Sequence, residues 1–140
     1  MKQILPPRLH PGDTIGIASP SHIVKPGSEE RTVRVLQKLG FRVKLAPHLF
    51  SDSWAFLASD KERAADFNAL AADPEVKMVL FGGGEGSPAV LPLLDYDLIR
   101  RNPKIYSSYS DGTTILSAIT AMTGLVTYYG QTLVECARCL

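Results

Sequence analysis

Ser110 is the residue whose surroundings best suit nucleophilic chemistry. It lies in Lys104-Ile105-Tyr106-Ser107-Ser108-Tyr109-Ser110-Asp111-Gly112-Thr113-Thr114-Ile115. The first half of this stretch has the apolar residues of a short buried strand. The second half continues through Leu116, Ile119 and Met122, at spacings that suit one face of a helix. A serine where strand turns into helix projects its hydroxyl from the sheet edge, and the following backbone N–H groups, that of Asp111 first, point towards an oxyanion forming there. The same position suits a plain helix N-cap, with Asp111 in the first turn. Spacing alone leaves both roles open.

A second stretch, Gly82-Gly83-Gly84-Glu85-Gly86, follows the third predicted strand. Four glycines in five residues exceed what a turn requires. They let a backbone approach a substrate carbonyl and leave N–H groups, those of Gly83 or Gly84, free to donate to it. A dinucleotide fingerprint would follow the first strand. Here Gly84-x-Gly86 is completed by Ala89, with Pro88 between them, and no Gly-Lys-Ser/Thr of a Walker loop is present. Among the three histidines, His10 precedes the first strand and belongs to the far edge. His22 and His48 follow strands one and two and reach the rim of Ser110, but a base must come within hydrogen-bond distance of its nucleophile. Cys136-x-x-Cys139 lies at the chain end, far from any histidine that could complete a zinc site and in the wrong place for a thioredoxin motif. No metal site is expected.

The elements that would carry these residues alternate strictly. Residues 13–18 read as a strand ending at Ser19-Pro20-Ser21, and 28–39 as a helix with Val33, Leu36 and Leu39 inward. Residues 41–45 form the second strand, and 46–58 a loop holding Trp54 and Phe56. Ser59 and Glu62 make a capping box for a helix with Ala64, Phe67 and Leu70 inward. Residues 76–81 are an apolar third strand, and Ser87-Pro88 caps a short helix to Leu93. A turn over 96–100 leads to strand four (105–109), its helix (111–123) and strand five (125–129). This order predicts a doubly wound, mostly parallel α/β sheet of about five strands with helices on both faces, flavodoxin- or Rossmann-like. In such a sheet the loops after the strands share one edge, which brings Ser21, the glycine loop and Ser110 together. Residues 1–12 form an entry segment, 13–130 the domain and 131–140 a tail.

The chain has 140 residues, room for one domain with a real core. Fifteen basic and fourteen acidic side chains leave a net charge of +1 with no cluster in sequence, which argues against nucleic acid or an anionic membrane as partner. The absence of a membrane-spanning run or a signal-like N-terminus makes the cytoplasm the expected location.

Taken together, these stretches resemble the LD-carboxypeptidase / microcin C immunity family of serine peptidases. Pro11-Gly12-Asp13 with Ala18-Ser19-Pro20-Ser21 is similar to its opening. Gly40-Phe41-x-Val43 and Leu57-Ala58-Ser59-Asp60 with Arg63 are similar to its second block. Gly83-Gly84-x-Gly86, Leu91-Pro92-Leu93-Leu94-Asp95-Tyr96 and Pro103-Lys104 are similar to its third. Tyr109-Ser110-Asp111-x-Thr113 matches its nucleophile block, and Gly124-Leu125-x-Thr127 with Tyr129-Gly130 follows.

The resemblance implies a Ser-His-Glu hydrolase without cofactor. Ser110 would be the nucleophile, the N–H groups of Asp111 and of Gly83 or Gly84 the oxyanion hole, and Ser21, Gly84, Glu85 and Gly86 substrate contacts. The implied substrates are L,D-peptide bonds of muropeptides, or aminoacyl and peptidyl adenylates. Three departures stand out: Ser108 where the family usually has glycine, Gly82 and Glu85 where arginine and an aromatic are common, and an end at Leu140, before the second domain that carries the family's glutamate and histidine. The implied consequence is a domain with little turnover alone, or a non-catalytic binding domain retaining the fold. Either would leave an apolar face for a second copy or a further domain.

Overall fold

The structure, a computed structural model, describes residues 3–21, 27–50 and 58–130. Its five strands are β1 (Thr14–Ala18), β2 (Arg42–Leu45), β3 (Val76–Phe81), β4 (Ile105–Ser108) and β5 (Tyr128–Tyr129). All pair in parallel, in the order β2-β1-β3-β4-β5. Between them run α1 (Ser28–Lys38), α2 (Asp60–Ala72), α3 (Ser87–Val90), α4 (Tyr96–Arg101) and α5 (Thr113–Thr123). The predicted doubly wound sheet is present.

The period of two along each strand divides the core into two clusters. Ile15 and Ile17 of β1 and Leu80 of β3 pack against Leu36 of α1 and Leu49. Ala18, Val79, Phe81 and Tyr106 turn the other way, against Phe67 and Leu70 of α2 and Ile115 and Ile119 of α5. The Phe67 ring meets Phe81 edge-on at 5.4 Å and stacks on Tyr106 at 5.6 Å, contacts worth about 1 kcal/mol each beyond their burial. An extra residue in β3 adjusts this alternation. Thr14 pairs with Val76 but Ile15 with Met78, so Lys77 is pushed outward while Val76 and Val79 both stay buried.

Helix α2 begins as its sequence requires. The Ser59 hydroxyl accepts the Glu62 N–H at 3.3 Å, and the Glu62 carboxylate accepts the Ser59 N–H at 2.8 Å. Such a cap is worth about 1 kcal/mol. Other expectations shift. Leu39 and Met122 are exposed rather than inward. A spacing of three falls 60° short of a full turn, so the third residue of such a series has rotated off the buried face. The inward residues of α5 are instead Ile115, Leu116, Ile119 and Thr123. Ser87 opens α3 rather than capping it, because Gly86 holds the cap position.

Strand β5 is shorter than predicted because Leu125 bridges to Ile4. The Ile4 N–H donates to Gly124 O and its carbonyl accepts from the Val126 N–H, both at 2.9 Å, which leaves only residues 128 and 129 to pair with β4. Trp54, Phe56, His22, Cys136, Cys139 and the predicted tail lie outside the described residues.

Candidate active site

Every parallel strand exits on one edge, so the loops after β1, β3 and β4 meet there. Strand β4 ends at Ser108, and a single 3-10 turn over Ser110–Gly112 separates it from α5. The N-cap positions of this turn and of α5 are held by Tyr109 and Gly112, and neither has a side-chain capping hydrogen bond. The Ser110 backbone has φ 54°, the only positive φ of a non-glycine residue among the described residues. The left-handed region is uncommon for serine and marks a backbone held by its surroundings. A nucleophile elbow has this signature, with the hydroxyl on the outside of a tight strand-to-helix bend. Ser110 is not the cap of α5, a position that Gly112 holds. The serine is exposed, and among the described residues nothing hydrogen-bonds its hydroxyl.

The glycine loop lies directly against this bend. A Cβ on Gly83 would stand 2.5 Å from the Cβ of Ser110 and 2.7 Å from the carbonyl oxygen of Tyr109. Only a glycine permits that approach, and it sets the Gly83 backbone beside the serine. Gly84 and Glu85 are exposed on the same rim, and Gly86 follows at the entry to α3.

Three further groups hold the loop in place. The Asp111 carboxylate accepts the Ser87 N–H at 2.9 Å, joining the residue after the serine to the start of α3. Ser21 is buried, its hydroxyl donating to Gly82 O at 2.8 Å and its carbonyl accepting the Glu85 N–H at 2.5 Å. As placed, Ser21 shapes the loop and offers no free hydroxyl to a ligand. Arg63 is buried on α2. Its guanidinium donates to the carbonyls of Ala58 at 3.1 Å, Gly86 at 3.4 Å and Pro20, and to the Asp60 carboxylate. The loops after β1 and β3 and the start of α2 therefore share one cation. Sequence reading gave Arg63 no role; the available signals were its place in the family's second block and its position beside the inward residues Ala64 and Phe67.

Ser108 is also buried, 3.4 Å from Gly82 O. A Cβ on Gly112 would fall 2.0 Å from the Ser108 hydroxyl. The space of one side chain is thus filled from position 108, and residue 112 has none.

Neither His10 nor His48, the two described histidines, is brought to Ser110. His48 directs Nδ1 at Asp66 Oδ1, 2.8 Å away, with Glu62 at 3.8 Å from Nε2. The hydrogen bond to Asp66 raises its pKa above the ordinary histidine value, with the Glu62 charge assisting. Strand β2, which precedes His48, lies three strand spacings from β4, roughly 14 Å. His10 lines a cleft at the opposite edge, and His22 lies outside the described residues. Among the described residues no group of histidine, cysteine or carboxylate side chains could hold a metal ion, and no helix is long and apolar enough to cross a membrane.

Comparison with known proteins agrees with this arrangement. Residues 15–130 match the profile of the LD-carboxypeptidase N-terminal domain. A probable murein peptide carboxypeptidase of Bacillus subtilis is 38% identical over 129 residues, covering 91% of this chain and 40% of that protein. The microcin C7 self-immunity protein MccF of Escherichia coli is 39% identical over 127 residues, covering 88% of this chain and 37% of its own length. The structure of MccF with aspartyl sulfamoyl adenosine superimposes with a TM-score of 0.87 at 38% identity, over 94% of this chain and 40% of that one. The chain thus spans about two fifths of the length of these relatives.

Proposed function

The chain belongs to the LD-carboxypeptidase family, whose N-terminal domain it matches, and from that premise we propose that it carries the nucleophile half of a serine hydrolase. Ser110 attacks the carbonyl of the scissile bond, and the tetrahedral oxyanion is stabilised by the backbone N–H groups of Asp111 and of Gly83 or Gly84. The leaving group departs to give an acyl-Ser110 ester, which water then hydrolyses. Gly84, Glu85 and Gly86 line the approach for the substrate, with Ser21 supporting them from beneath. The substrate is an L,D-peptide of muropeptide type or an aminoacyl or peptidyl adenylate, by analogy with the named relatives, and the site of action is the cytoplasm. No cofactor takes part.

The observation that carries this reading is the left-handed backbone of Ser110 against Gly83. A general base has to come from outside the described residues, since His48 is committed to Asp66. Without a base, hydrolysis falls by several powers of ten; in this reading a second domain or partner chain supplies that base, and the chain alone turns over little substrate. It gains activity when a second domain or partner chain supplies histidine and glutamate. The absence of a base among the described residues favours a second reading, a binding domain that keeps the fold without the chemistry.

One pair of measurements separates these readings. The chain is incubated with an L,D-tetrapeptide or an aminoacyl adenylate, alone and mixed with the C-terminal portion of a relative that this chain does not cover, and product is followed by mass spectrometry. Product that appears only in the mixture and vanishes in Ser110→Ala supports the hydrolase. Unchanged ligand affinity in Ser110→Ala with no product in any mixture supports the binding domain.

A further inference from the structure

The edge of the sheet opposite Ser110 holds a second cleft, of about 430 Å³, within the size range of small-molecule sites. It lies where the strands begin, between the entry segment, the start of β3 and the turn from α4 into β4. Its walls include Arg8, His10, Lys77, Arg101 and Lys104, with Asp13 as the one carboxylate. For a chain of net charge +1, four lysine and arginine side chains in one cleft is a strong local imbalance.

The neighbouring acids offset it only in part. Asp13 accepts the backbone N–H of His10 at 2.7 Å and keeps its charge. Asp73, the next carboxylate, is paired with Lys44 at 2.5 Å and also acts on Lys104. Among the described residues Arg8 and Arg101 have no ion-pair or hydrogen-bond partner, and both are exposed. Lys77 is anchored only to the Pro74 carbonyl, at 2.6 Å. Lys104 is buried and donates to the carbonyls of Asp73 and Val76 at 2.6 and 2.7 Å, which leaves one of its three N–H donors unassigned. Burial and the nearby Lys77 charge both press its pKa down, so an anion in the cleft would stabilise its charged form. The extra residue in β3 contributes directly, because it turns Lys77 outward.

We propose that this cleft binds a small soluble ligand through a diphosphate group. Several cations converging from separate segments suit an anion of more than one charge. Guanidinium groups engage phosphate oxygens in pairs, and the lysines add point charges. This site is independent of the hydrolase reading, since it shares no residue with the Ser110 rim.

Isothermal titration of the full chain with inorganic pyrophosphate and, separately, with ADP tests the proposal. One saturable site for pyrophosphate is expected, weakened by added salt and weakened roughly tenfold in Arg101→Ala and in Arg8→Ala. Both side chains are exposed, so circular dichroism should show an unchanged fold. Lys61→Ala, at the start of α2 on the other edge, should leave binding unaltered. Equal binding of ADP places the ligand among nucleotides, and binding of pyrophosphate alone places it among free condensed phosphates; either outcome supports the site. No saturable binding at millimolar pyrophosphate, binding of ADP without pyrophosphate, or binding that neither arginine variant weakens would overturn it.

Discussion

At the scale of single residues, the bend that carries Ser110 was legible in the sequence but the serine's conformation was not. The change from strand to helix periodicity at Ser110 marked the bend. Nothing in the order of residues announced a positive φ on a serine, because that torsion is imposed by the loop pressed against it. Ser108 shows the same limit. It stands out in the sequence as a departure from the family's glycine, and only the structure reveals that its hydroxyl occupies the volume a side chain at 112 would fill. Gly112 has φ −61° and ψ −17°, a backbone that alanine accepts, so space alone forbids a larger residue. Gly112→Ala should therefore destabilise the fold by about 1–3 kcal/mol through overpacking. Adding Ser108→Gly should recover most of that loss, with a coupling of at least about 1 kcal/mol between the two sites in chemical denaturation. Strictly additive effects would show that the two positions do not share the space.

At the scale of elements, local signals were read well and distant ties were not. The Ser59–Glu62 box lies within four residues and fixed the start of α2 correctly. Arg63 and Asp111 act on backbone groups 20 or more residues away, and a backbone carbonyl or N–H has no residue type by which to be recognised. The His48–Asp66 pair is a tie of this kind, fastening the loop after β2 to α2. Because the folded-state pKa of His48 is raised, its stabilising effect is complete below the unfolded value of about 6.5 and fades as pH climbs through the raised value. The melting temperature of His48→Gln should accordingly trail the parent most at about pH 6 and least at about pH 9. A deficit that stays constant across this interval would mean the ring contributes by packing and not by charge.

At the scale of the whole molecule, strand–helix alternation was enough to give the sheet and its layers, since each element signals its own period. The Ile4–Leu125 bridge was not legible because two apolar residues before a proline pair are too few to show a period. Around that bridge Leu5 and Tyr129 are 75% and 72% exposed, and Tyr128 is 43% exposed. We expect this end of the sheet to be covered in solution by a second copy or a further domain. Light scattering at rising concentration should show association, weakened by Tyr129→Ser, whereas a monomer throughout would argue against it. The twisted serine has a last consequence for the global free energy. A left-handed turn at an L-amino acid costs on the order of 1 kcal/mol, and glycine escapes that penalty while alanine keeps it. Ser110→Gly should then melt about 3 °C higher than Ser110→Ala, so of the two variants that lack the hydroxyl the one with no side chain at the bend is the more durable.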